Sequence, residues 1–155
     1  MGNTRKPLKR HKSIQPFSRE HHQGLLLCWK IRKGIQNGVS YKKIKKYNDW
    51  FFENHLKPHF DDEEKYMFPV LGDNHEMIKK ALSEHRRLTR LFGETTSLEK
   101  TINHIEEELD RHIRFEEREL FMLIQEKATP EELKKIDEFH QELDFIENTK
   151  DKYWE

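Results

Sequence analysis

One cysteine, Cys28, is all the thiol the 155 residues carry. That excludes an internal disulfide framework and a cysteine zinc knuckle, and it fits a reducing, cytoplasmic setting. Glycine and proline are scarce, at 6 and 5 residues, which leaves few points where a helix is forced to break. No apolar run approaches the roughly 18 residues of a membrane span. The basic start, MGNTRKPLKRHK, lacks the apolar stretch of a secretory signal. Net charge is missing too: 29 Lys+Arg balance 29 Asp+Glu, so no global field draws the chain to nucleic acid or an anionic membrane. Gly-rich phosphate loops and GxSxG elbows do not occur. What is present is charge, 37% of residues against 34% hydrophobic, the profile of amphipathic helices with one narrow apolar stripe each.

Turn signals at 34–40, 69–74, 93–97 and 127–130 cut the chain into five helical pieces, within which apolar residues recur every three or four positions. The pieces run over about 14–33, 40–68, 74–92, 97–126 and 130–148, with limits good to roughly 2–4 residues. Short connections fold consecutive helices back on one another. The expected fold is therefore all-α, an up-down-up-down four-helix bundle with an additional C-terminal helix. Residues 1–13 are expected to form a basic, poorly ordered arm, 14–126 the bundle, and 127–155 a helix packed on its side. Thr129-Pro130-Glu131-Glu132 carries the signature of a capping box. Pro58 is expected to bend the second helix.

Ten histidines carry the chemistry. HFDDEEKYMF at 59–68 and HIRFEERELF at 112–121 repeat one phrase: His, then adjacent glutamates at the fifth and sixth places, then Phe at the tenth. His59 with Glu63, and His112 with Glu116, are i,i+4 pairs, each aimed from one helix face towards one point. His85 lies in the middle of the stripe Ile78, Ala81, Leu82, Leu88 and Phe92. On the first helix, Phe17, Leu25, Cys28, Ile31 and Ile35 centre near His21; His22 points about 100° away and is the alternate. Measured from one end of the bundle, the four histidines agree in depth to about 10 Å. A single histidine on an apolar face is usually a hydrogen-bonded core residue. Four of them with two buried carboxylates, each carboxylate costing several kcal/mol unpaired, call for a cation. The set exceeds one tetrahedral zinc and suits two six-coordinate ions, iron first, with manganese or zinc as alternatives.

SREHH at 18–22, HFDDEE at 59–64, SEHRRL at 83–88 and HIRFEE at 112–117 resemble the hemerythrin-like, or HHE cation-binding, domains over roughly residues 14–126. The resemblance implies a four-helix bundle with a non-haem di-iron centre, bridged by carboxylates and an oxo or hydroxo group. It also implies binding or sensing of O₂ or NO, or iron handling. Its ligands would be His21 (or His22), His59, Glu63, His85, His112 and Glu116. Oxygen carriers of this family place a second histidine one turn from the third helix's ligand; here those positions are Ala81 and Thr89. His55, one turn before His59, is the alternate fifth imidazole. Glu64 and Glu117 are either exposed or accept from imidazole N–H groups, and Phe68 and Phe121 either seal the centre or are plain core. Cys28 reads as core, His75 as a helix start, His11 as tail, and His104 and His140 as histidines without ligand-like partners. Two alternatives stand beside a small-ligand binder: an enzyme reducing peroxide or repairing oxidised or nitrosylated iron centres, and a metal-stabilised interaction module. The expected partner is O₂, NO or peroxide, the expected assembly a monomer or homodimer.

Overall fold

The structure, a computed structural model, describes residues 9–140 and 145–155, and among these every regular element is helical. Helix α1 (Gln15–Gln36) starts with a proline in its first turn. It ends in a Schellman motif: Gly38 takes φ 72°, its N–H bonds to Ile35 O, and Val39 N–H bonds to Gly34 O. Ser40 then caps α2 (Tyr41–Phe51) by accepting from Lys43 N–H. The same rod runs on through a π-turn (Phe52–Leu56), α3 (Lys57–Asp62), a second π-turn (Glu63–Met67) and a 3₁₀ turn (Phe68–Val70). After α4 (Glu76–Gly93), the fourth rod comprises α5 (Leu98–Phe115), a π-turn (Glu116–Leu120) and α6 (Phe121–Lys127). Pro58 is accommodated by the first π-turn, in which Lys57 N–H reaches back five residues to Phe52 O. The wider turn eases the ring past the carbonyl four residues earlier.

Two apolar cores divide the bundle. One gathers Leu27, Ile31, Ile44, Tyr47, Ile105 and Leu109, among others. The second gathers Phe17, Met67, Phe68, Ile78, Phe121 and Ile124, among others. Along α1 and α4 the second core comes before the first, and along the other two rods the order is reversed, so the rods run up-down-up-down. On every rod the candidate His or Glu falls at the changeover between cores. The polar site is a layer between two hydrophobic plugs.

Both ends of the chain depart from expectation. Residues 9–13 pack on the bundle instead of lying free: Arg10 Nη2 donates to Glu117 O at 2.8 Å, and His11 N–H donates to Gln125 Oε1 at 2.7 Å. Residues 1–8 of the expected arm lie outside the described residues. The last helix, expected to reach Asn148, is α7 (Pro130–Phe139), opened by the anticipated capping box of Thr129 and Glu132. It stops because His140 turns extended, at φ −85° and ψ 122°, with its ring engaged by the bundle. Residues 145–155 cross the first of the two cores. Lys30 is buried there, donating to Tyr47 Oη at 2.8 Å and Glu147 Oε2 at 2.6 Å, with its Nζ 4.1 Å from the Trp154 ring centre. Tyr153 lies so close to α1 that a Cβ at Gly34 would sit 2.6 Å from its ring. Gly34→Leu is therefore expected to cost about 1–3 kcal/mol by overpacking. Urea unfolding should show that loss, and trypsin should cut faster after Lys150 and Lys152.

Candidate metal centre

Glu63 and Glu116 face each other in the polar layer, each 0% exposed, with His21, His59, His85 and His112 buried around them. Glu63 Oε2 lies 3.3 Å from His21 Nε2 and 3.0 Å from His59 Nε2, while its Oε1 lies 3.0 Å from His85 Nε2. Glu116 Oε1 lies 2.9 Å from His21 Nε2 and 3.3 Å from His112 Nε2, with Oε2 3.6 Å from His85 Nε2. Two overlapping groups result. His21, His59, Glu63 and Glu116 can bring one donor atom each within 4.8 Å of one another, and so can His85, His112, Glu63 and Glu116. Each group could hold one cation, and both carboxylates belong to both groups.

The repeated phrase is a repeated backbone device. Each of these π-turns begins at the inward glutamate, and its N–H···O bond joins Phe68 to Glu63 and Phe121 to Glu116. The widened turns place Phe68 and Phe121 as stacked lids, 5.4 Å from the His85 ring and 4.9 Å from the His21 ring.

A ring of four outer carboxylates surrounds the layer. His59 Nδ1 is 2.8 Å from Glu20, His85 Nδ1 2.7 Å from Glu64, His112 Nδ1 2.7 Å from Glu84, and His21 Nδ1 2.6 Å from Glu117. Each outer acid is the sequence neighbour of an inner residue on its own helix, and holds the histidine of the next helix round the bundle. With Nδ1–H donated outwards, Nε2 presents its lone pair inwards, the tautomer a metal ligand needs. The inward atoms His59 Nε2, His85 Nε2, His112 Nε2, both Glu63 oxygens and Glu116 Oε2 are buried and have no hydrogen-bond partner. Converging orphans of this chemistry fit cations of N/O preference.

A sequence model of the hemerythrin HHE cation binding domain matches residues 12–124. The chain belongs to this cation-binding family. No curated protein and no solved structure gives a match. In this HHE domain, the positions one turn either side of His85 bring no further donor: Ala81 is buried in the apolar core, and Thr89 donates its hydroxyl to His85 O at 2.7 Å.

Of the two first-helix histidines, His21 faces the centre and His22 is exposed. His55 stays out of both groups, half-buried against Trp50, Phe51 and Phe145. His75 caps α4, its Nδ1 accepting from Met77 N–H. His104 is 3.5 Å from Glu108 on the surface. Cys28 is fully buried, and burial with Asp110 and Glu106 nearby pushes its thiol up, so it is a protonated core residue. The expectation that His140 has no ligand-like partners is overturned. Its Nδ1 bonds to Asp62 Oδ2 at 2.8 Å and its Nε2 lies 3.3 Å from Glu20 Oε1. No spacing from 112–121 points to it. Glu20 and Glu84 were also missed, though a signal existed: each directly precedes an inward histidine, in Glu20-His21 and Glu84-His85.

Burial alone would push the His59 imidazole down, but the Glu63 and Glu20 carboxylates outweigh it and hold the ring at about 9. His21 and His85 are likewise carried well above the usual imidazole value despite burial, by Glu116, Glu117, Glu63 and Glu64. Burial and Glu116 push Glu63 up, yet His59 and His21 outweigh them and bring it down to about 2.

Metal-free protein should therefore be stabilised by charged His59 fully below pH 6.5, and lose that contribution as pH rises through about 9. The Glu63 contribution is present above pH 4.5 and lost as pH falls towards about 2. A cation needs neutral imidazoles, so the stabilisation it confers should grow from pH 6.5 to 9. Thermal unfolding across this range, with and without metal, checks both signs. His59→Ala and His112→Ala should each lose metal while keeping their helicity, read by elemental analysis and circular dichroism.

Proposed function

We propose that the chain holds two iron ions, one per donor group, and binds or senses a diatomic ligand such as O₂ or NO. The observation that carries this reading is the sharing of both inner carboxylates between the two histidine pairs: Glu63 Oε2 faces His21 and His59 while its Oε1 faces His85, and Glu116 lies within 3.6 Å of His21, His85 and His112. That is the donor pattern of a carboxylate shared by two ions. Four imidazoles and two carboxylates are a donor set of intermediate softness, which favours iron, with manganese or zinc as competitors. Two six-coordinate ions would keep positions that the protein does not fill. When bound, such a pair supplies electrons to a small oxygen- or nitrogen-containing ligand.

The protein's own part is to bound the space. A cavity of about 20 Å³ adjoins the His21–His59 half, walled by Gly24, Phe51, His55 and Ile113 among others. It has room for one molecule of water or diatomic size. Gly24 lets Ile113 close in on this space, since a Cβ there would lie 2.6 Å from Ile113 Cδ1. His55 is its half-exposed polar wall, held towards the neutral form by burial, although Glu20 and Glu147 work against that. A neutral imidazole can donate one hydrogen bond to a bound ligand without adding charge. Phe121 and Phe68 keep bulk water from the histidine faces.

Reconstitution with ferrous iron under argon should give about two Fe per chain. The near-ultraviolet and visible spectrum should then change on exposure to O₂ or NO. One ion per chain, or a spectrum indifferent to both gases, would remove the reading.

A further inference from the structure

His140 stands outside the residues that match the HHE domain, at the end of α7, yet its ring is buried against three side chains of the bundle. Phe17 stacks on its face at 3.8 Å between ring centroids, with the planes 21° apart. Asp62 Oδ2 accepts from Nδ1 at 2.8 Å, and Glu20 Oε1 lies 3.3 Å from Nε2. That same Glu20 oxygen is the one 2.8 Å from His59 Nδ1. Asp62 directly precedes Glu63, so the ring joins α1 to α3 on either side of the His21–His59 half.

The other outer acids are secured differently. Glu117 is held by the Ser18 hydroxyl at 2.9 Å and by Arg10 at 3.2 Å. The side chains of Glu64 and Glu84 are 42% and 29% exposed, so water can orient them; that of Glu20 is only 13% exposed. A carboxylate so enclosed takes its orientation from its protein neighbours, and His140 is one of them. Its direction in turn sets which nitrogen of His59 faces inwards.

We propose that His140 is a positioning residue of the metal centre. By fixing Glu20 it holds His59 in the metal-binding tautomer, so the segment after the matched domain completes the outer shell of one half only. The inference rests on the ligand reading proposed above, and the following measurements separate the two.

Cobalt(II) is titrated into the metal-free full chain, followed by visible absorption and by competition with a chelator. Wild-type protein is expected to bind two ions in resolvable steps. His140→Phe keeps the ring stack on Phe17 and removes both nitrogen contacts. It should weaken one step by about tenfold, the lower end of what loss of an outer-shell partner costs, and leave the other within about twofold. Glu20→Gln should weaken the same step and Glu84→Gln the other one. His140→Gln, which keeps a polar donor beside Glu20, should restore part of the loss. In metal-free protein, the slowly exchanging His59 Nδ1–H proton resonance should be present in wild type and broadened in His140→Phe. If wild type binds no pair of ions, the ligand reading falls and this inference with it. If wild type binds two but His140→Phe leaves both steps and the resonance unchanged, or lowers both steps equally, the positioning role is overturned while the ligand reading stands.

Discussion

Two carboxylates with no access to water, pointed at each other, are the constraint around which the molecule is arranged. Glu63 and Glu116 repel, and each is costly to bury. Only positive charge beside them makes the layer tolerable. The four imidazoles answer that need by protonation when no metal is there, and as neutral donors they could instead hold cations that supply the same charge. The same layer thus has two charge-compensated states that differ by protons and ions. The apolar plugs above and below deny it a third, hydrated state.

The outer ring follows from the inner need. An imidazole facing an anionic pair can turn either nitrogen inwards, and only an acceptor on its far side fixes the choice. The chain solves this by adjacency: Glu20 beside His21, Glu64 beside Glu63, Glu84 beside His85, Glu117 beside Glu116. A residue next to an inward one projects about 100° round the helix, which is towards the neighbouring rod. One helix therefore supplies an inner residue and the outer support for its neighbour from consecutive positions. The π-turns at Glu63 and Glu116 add the remaining adjustment, widening the backbone just where the lids Phe68 and Phe121 must reach across.

Most of the bundle was legible because its signals are periodic. The apolar stripes, the turn clusters and the doubled phrase rest on regular helix geometry, and they brought His59, Glu63, His85, His112 and Glu116 together in advance. His21 was separable from His22 by angle alone. What escaped was whatever depends on contacts between helices or on broken periodicity. Glu20 and Glu84 look like surface acids on their own helices, and their role exists only because a neighbour's histidine lies beside them. A π-turn shifts register by one residue, and nothing in composition marks it. The C-terminal helix ends sooner than its residues' ordinary helix propensity suggests. The capture of His140 by Asp62, Glu20 and Phe17 wins over that propensity, and a tertiary contact of this kind cannot be read from local pattern. The same applies to residues 9–13, whose basic composition suggests solvent while Arg10 is claimed by Glu117.

The ring of outer acids closes between Glu117, on the fourth rod, and His21, on the first. Helix by helix, each support comes from the element before, except that the first must wait for the last. A chain with only three rods in place lacks His112, Glu116 and Glu117, and so has one of its two inner carboxylates and leaves His21 without its outer support. Such a chain offers a metal ion no finished chelate. A complete donor set for a cation in this layer therefore exists only once the closing rod has docked against the first.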